Sequence, residues 1–198
     1  MKPAEFEQFL KFAEDRLSGK PDSEKIQAFI VWCKKSNIEE LILRLSSEDR
    51  GGLGRNSLLD FTTMRMIVSK KSFARKFIDV GYIAGMAPFP YMVLSKNVKL
   101  SSIRKQSEIN VEGILKNDSS NYFIWYSDMQ EFLLRKGTET TVRNMVGITI
   151  MKNFLTVKTS SRTYNFTLPV NKNGKFEQIH HWLSVVLPVK VKEVSKLD

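Results

Sequence analysis

Residues with versatile chemistry are scarce in this sequence. Among 198 residues, Cys33 is the single cysteine, and His180 and His181 are the two histidines. One thiol excludes an internal disulfide framework and any cysteine-rich zinc site. Adjacent histidines on a helix point about 100° apart, so the pair does not chelate one ion from the same face. A conventional catalytic triad lacks its material, and Ser127-Asp128 with a distant histidine does not make one. No pair of carboxylates stands out for acid–base work. The sequence therefore nominates no catalytic residue, metal ligand or cofactor, and an enzyme is the class it supports least. A long apolar run is missing too. The longest weakly charged stretch, residues 80–95, contains Pro88 and Pro90. It falls short of the ~18–20 apolar residues that span a bilayer. Residues 1–13 are charged and amphipathic and lack the apolar core of a signal peptide. The expectation is a cytoplasmic protein, with peripheral association at the inner membrane surface left open.

What is present is an ordinary globular composition, 42% hydrophobic and 26% charged, in a length suited to one domain with an appendage. The formal charge is +10 and the isoelectric point about 9.7. That excess attracts polyanions, whether nucleic acid, an acidic membrane or an acidic protein. Residues 1–50 carry 9 basic and 10 acidic side chains, and residues 101–150 carry 6 of each. Residues 51–100 carry 8 and 2, and residues 151–198 carry 8 and 3. The positive charge thus lies in two separate stretches. A solvated lysine-rich surface accounts for it equally well.

The first 47 residues read as a helical N-terminal segment. Phe6, Leu10, Ala13 and Leu17 recur at spacings of three and four, one apolar helix face. Gly19 and Pro21 stop that helix, and Asp22 or Ser23 is placed to cap the next, with Ile26, Phe29, Ile30 and Cys33 on one face. Residues 39–45 read as a third short helix or as a first strand, because a short apolar run is ambiguous by periodicity. The loop with Gly51, Gly52 and Gly54 lacks the spacing of a phosphate-cradling loop and reads as a connector.

From Asn56 onward the period becomes extended. Residues 57–61 and 65–69 are expected as strands joined by Thr62-Thr63-Met64. Strands follow at 122–126, 129–136, 146–151, 154–158 and 163–168, with a hairpin turn expected at Lys152-Asn153. Phe176, Ile179, Trp182, Leu183 and Val186 form a helix face that Pro188 ends. Residues 78–118 read as an insertion with a short helix at 107–116, and residues 190–198 as a basic, fraying tail.

Three stretches resemble the pleckstrin-homology-like domains of prokaryotes, in particular a set of uncharacterised archaeal proteins. Ser57 to Lys71 looks like the opening hairpin of that family with its Thr-x-x-Arg turn. Asn121 to Gly137 is similar to its "Tyr-Ser-Asp-Ile" strand, with Met129 in place of Ile. Gly147 to Pro188 looks like its final strands and helix. The resemblance covers residues 56–189, about two thirds of the chain. It implies an α+β fold: an N-terminal helical segment, then a bent antiparallel sheet or barrel of about seven strands, capped by a C-terminal helix that buries Trp182. It also implies a non-enzymatic binding scaffold.

Two clusters are candidate contact sites. Lys70, Lys71, Arg75 and Lys76 follow the first hairpin. In lipid-binding relatives, basic residues there grip phosphates through point charges and forked hydrogen bonds. Tyr82, Met86, Phe89 and Tyr91 lie in the apolar insertion, flanked by Lys96 and Lys99, a pattern suited to a membrane interface. Burial of that segment in the fold or between chains fits as well. On a strand, alternation sends Phe123 and Trp125 to one face and Tyr122, Ile124 and Tyr126 to the other. One set belongs to the core, and the other is available for stacking. The expected partners are an anionic membrane surface or a protein. Alternatives are nucleic acid, bound through the net positive charge, and a structural role as a homo-oligomer.

Overall fold

The computed structural model describes residues 7–9, 11, 16–48, 56–70, 111–137, 139–141, 149–169 and 176–194. The chain folds as α+β. Helix α1 is Asp22–Lys35, followed by strands β1 (Leu41–Glu48), β2 (Asn56–Thr62) and β3 (Arg65–Lys70). Helix α2 is Val111–Asn117 and β4 is Tyr122–Trp125. Then come β5 (Met129–Arg135), β6 (Glu139–Thr141), β7 (Thr149–Thr159) and β8 (Thr163–Pro169). Helix α3 (Phe176–Val186) and β9 (Val191–Val194) complete the order.

Pro21, rather than Asp22 or Ser23, takes the N-cap of α1, and its carbonyl accepts from the amides of Glu24 and Lys25. The C-terminus follows from Asn37, whose left-handed φ of 52° lets the chain reverse. The amide of Ile38 then donates to the Cys33 carbonyl at 2.8 Å and that of Asn37 to Lys34 at 3.2 Å. This is a Schellman closure with asparagine in the usual glycine position. Lys34 and Lys35 add favourable charge in the last turn.

Two four-stranded sheets make the body. The order β4-β3-β2-β1 is antiparallel throughout. The order β8-β7-β5-β9 follows, with β6 on the side of β7. The sheets meet at one backbone pair, Glu48 opposite Thr167. At the other end of β8, the ring of Tyr164 stacks on that of Tyr122 at 5.4 Å. So β8 crosses the first sheet from β4 to β1. Among the described residues neither sheet closes as a barrel.

Alternation builds the core. Leu43, Leu45, Leu59, Phe61, Met66, Val68 and Ile124 face inward from the first sheet, and Phe132, Leu134, Leu155, Val157, Phe166 and Leu168 from the second. Phe61 and Phe132 meet edge to face at 6.1 Å across the gap. Ile179, Trp182 and Leu183 of α3 join them. Helix α1 packs on α3, and Phe29 and Trp32 of α1 hold Phe9 at 4.8 and 5.5 Å.

Three expectations need correction. The helical segment does not run to residue 47: residues 41–48 are β1, the strand that joins the sheets. Both faces of β1 are buried over 41–47, so its apolar residues read as a continuous run. Lys152-Asn153 is no turn, since β7 runs unbroken for 11 residues past it. Asn153 points inward and is buried, on the face of Leu155 and Val157. Gly137 makes that strand's close approach possible, because a Cβ there would stand 1.5 Å from the Lys152 carbonyl oxygen. The basic tail does not fray over Val191–Val194. It pairs in parallel with Phe132–Arg135, and Val191 is buried.

On the outer face of the first sheet, Arg44 and Asp60 stand directly opposite each other on β1 and β2. Arg44 Nε donates to Asp60 Oδ1 and Nη2 to Oδ2, the latter at 2.9 Å. Both side chains are buried. A buried forked pair contributes little net stability, because desolvation opposes its attraction, yet losing one partner strands the other charge. Asp60→Asn or Arg44→Leu is expected to lower unfolding free energy by about 3–5 kcal/mol in urea titrations. The double replacement Arg44→Leu with Asp60→Leu is expected to recover most of that loss. Additive single effects would refute the coupling.

Candidate functional site

Of the sequence-predicted contact residues, Lys70 is the one described; Lys71, Arg75, Lys76, Tyr82, Met86, Phe89 and Tyr91 lie outside the described residues. Lys70 ends β3 and is half-buried. Its amide donates to Asn121 Oδ1 at 2.9 Å, and Asn121 Nδ2 donates to the Ile114 carbonyl of α2 at 2.7 Å. Asn121 thus fixes the start of β4 against β3 and α2.

The most exposed aromatic surface lies on β4. Ile124 is buried inward, while Phe123 and Trp125 face out, 38% and 40% exposed. Val31 is the one other exposed large hydrophobic among the described residues. Their rings meet edge-on at 5.3 Å. The guanidinium of Arg65, which pairs opposite Trp125 in the ladder, lies 4.6 Å from the Phe123 ring and 4.8 Å from the Trp125 ring. Its Nε and Nη2 donate to the two carboxylate oxygens of Glu39 at 2.9 and 2.8 Å. Arg65 therefore serves as a flat, charge-compensated spacer against both rings.

The β2–β3 turn holds this arginine in place. The Thr62 hydroxyl accepts from the amides of Met64 (3.2 Å) and Arg65 (3.0 Å), and lies 2.8 Å from Glu39 Oε1. Thr63 Oγ1 accepts from the Glu40 amide and donates to the Ile38 carbonyl. Tyr126 donates its hydroxyl to the Thr62 carbonyl at 2.7 Å. Burial, reinforced by the charge of Glu39, holds the Tyr126 phenol well above its ordinary pKa of 10, so it remains a donor. Ser127 and Asp128 are exposed on the short 3-10 turn that leads into β5.

A second surface is the outer face of the second sheet. Glu131 of β5 lies between two lysines, at 2.6 Å from Lys158 Nζ of β7 and 2.8 Å from Lys192 Nζ of β9. Arg135 lies over the Phe154 ring at 4.7 Å. By strand alternation Lys152 shares that face, so among the described residues Arg135, Lys152, Lys158 and Lys192 stand on the side of Glu131. The two histidines and the cysteine contact apolar neighbours. His180 stacks on Phe176 and His181 meets Trp182 edge-on. Burial pushes the Cys33 thiol up to about 12, which leaves it protonated and inert. No group of three metal-ligating side chains occurs among the described residues. No described helix is long and apolar enough to cross a membrane.

Sequence reasoning separated Phe123 and Trp125 from Tyr122, Ile124 and Tyr126, and the Thr-x-x-Arg turn of the resemblance falls on Thr62 and Arg65. It missed that these residues meet. The signal lay in strand register: once β3 and β4 pair, Arg65 falls opposite Trp125 and beside Phe123. Glu39 had no comparable signal, because it lies before β1 and 26 positions from its partner.

Hydrogen bonds and charge attraction from Lys158 and Lys192 lower the Glu131 pKa from an ordinary 4.5 to about 2. The depressed value means that its stabilising contribution is present above the unfolded pKa and is lost as pH falls through about 2. Carboxyl-detected NMR titration is expected to place Glu131 near 2, and Lys158→Ala with Lys192→Ala to return it toward 4.5. A midpoint unchanged by that pair of substitutions would contradict the assignment. Compared with protein-family models, curated proteins and solved structures, the chain has no match.

Proposed function

We propose that this chain is a non-enzymatic binding module on a pleckstrin-homology-like scaffold, and that its principal partner is another protein. The order of elements supports the scaffold reading. β1 to β4 make one antiparallel sheet, β5, β7 and β8 continue into a second that crosses it, and α3 follows. Two four-stranded sheets with a helix after β8 agree with that α+β scaffold in outline. The observation that carries the protein reading is the pair Phe123 and Trp125, fixed in the open against Arg65. Tryptophan and arginine dominate the energetics of protein interfaces, and rigid rings lose little entropy on docking. Because Glu39 compensates Arg65, the patch is apolar without a net charge.

The test is photo-crosslinking in the living source cell. Benzoylphenylalanine at position 123 is expected to trap a protein that the same group at Thr163, exposed on β8, does not. Trp125→Ala is then expected to weaken binding of that purified protein by about 2 kcal/mol, roughly 30-fold. Equal trapping from both positions would defeat the reading.

The outer face of the second sheet supports a second reading, attachment to an anionic surface. Lys152, Lys158 and Lys192 there account for part of the positive excess in residues 151–198, and Arg135 stands beside them. Co-sedimentation with phosphatidylserine-containing vesicles is expected to drop about five-fold for each of Lys152, Lys158 and Lys192 replaced by alanine, at roughly 1 kcal/mol each. Binding indifferent to these substitutions would rule the face out. Loss of vesicle binding to single-stranded RNA competitor would identify nucleic acid as the polyanion instead.

A further inference from the structure

We infer that the partner docks as an extended segment that adds to β4 as a new edge strand. The inference rests on the reading of Phe123 and Trp125 as a docking surface and names the shape of what docks there. β4 ends the first sheet, and no strand among the described residues pairs with its outer side. An edge strand directs alternate amide and carbonyl groups outward, a ready template for another strand.

The two ends of the sheet order differ in how they treat an approaching chain. β9 carries Lys192 and Glu193, both exposed, and Lys192 is tied to Glu131. Charges on an edge repel strand addition, because they would have to be desolvated. β4 reads Tyr-Phe-Ile-Trp and carries no charge. The nearest cation, Arg65, is already bound in forked fashion by Glu39. Among the described residues, the edge next to the exposed rings is therefore the one with no charge of its own against an added strand.

β4 is also held in shape at both ends. Asn121 ties its start to Lys70 and Ile114, and Tyr126 ties its exit to the Thr62 carbonyl. A pre-formed edge spares a docking strand the cost of ordering its template. The chemistry of the occupant follows from the same residues. β4 is four residues long, about 13 Å at ~3.3 Å per residue, so a segment of four to six residues suffices. On the outer face, alternate side chains of that segment meet Phe123 and Trp125 as cross-strand neighbours, where apolar and aromatic groups pair best. Since the patch has no net charge, the segment needs no acidic or basic residue on that face.

The test uses a displayed library of random twelve-residue peptides, panned on the full chain. Enriched peptides are expected to alternate apolar residues and to slow amide exchange at Phe123, Ile124 or Trp125 at least ten-fold. N-methylation of alternate backbone amides in the best peptide is expected to weaken it at least ten-fold, as is Phe123→Ala with Trp125→Ala in the protein. Peptides that need both rings, yet tolerate N-methylation and leave β4 exchange unchanged, would overturn strand addition while the patch survives as a docking surface. Peptides indifferent to both rings would overturn the patch itself. A chain that sediments as a dimer until peptide is added would show a second copy on the edge, against a foreign segment.

Discussion

Strand β1 carries the architecture, because among the described residues it is the strand through which the first sheet reaches the second. It pairs with β2 along most of its length and reaches β8 through a single residue pair, Glu48 with Thr167. One backbone pair does not hold two sheets at a fixed angle. That angle is held by side chains in the gap: Phe61 against Phe132, and α3 with Trp182 and Leu183 packed among them. Every residue of β1 from 41 to 47 is buried, and its one charged inner-strand residue, Arg44, stands on the face away from the gap and requires Asp60 directly across the ladder. A strand used from every side has no solvent face to give it an alternating pattern.

That explains where the sequence was legible and where it was not. β5 and α3 announce themselves, because each has one buried side and a marked end, Gly137 or Pro188, whereas β2 and β3 are buried on both faces and are marked by the turn Thr62 to Met64 between them. β1 looked as much like a helix as a strand, because every residue from 41 to 47 is buried and periodicity vanishes. Asn153 looked like a turn, because asparagine favours turns wherever the backbone is free to choose. Pairing with Leu168 of β8, next to the β5 ladder that ends at Phe154, removed that freedom. β9 was hidden for a different reason. Four residues of mixed charge and valine make no strand by themselves, and its partner β5 lies about 60 positions earlier.

The exposed patch shows the same division. That Phe123 and Trp125 share a face follows from alternation alone. That this face is the outer one follows from burial of Ile124, and that an arginine and a glutamate lie beneath the rings follows from register and turn geometry. Local pattern thus located the aromatic side chains, while their electrostatic setting is a product of tertiary pairing. The basic residues after β3 were marked by charge density alone, and of them Lys70 is the one described.

The stack of Tyr122 on Tyr164 acquires a further meaning from this arrangement. Counted across the first sheet, β4 is the strand farthest from the seam at Glu48 and Thr167. A backbone pair joins the two sheets at one side, and two stacked phenol rings latch them at the other, where the chain also passes from β4 into β5. The latch and the exposed rings belong to the same four residues: Tyr122 faces in, and Phe123 and Trp125 face out. A ligand held by the outer rings therefore grips the latch from behind, and by linkage its binding energy adds to the closure of the whole sandwich.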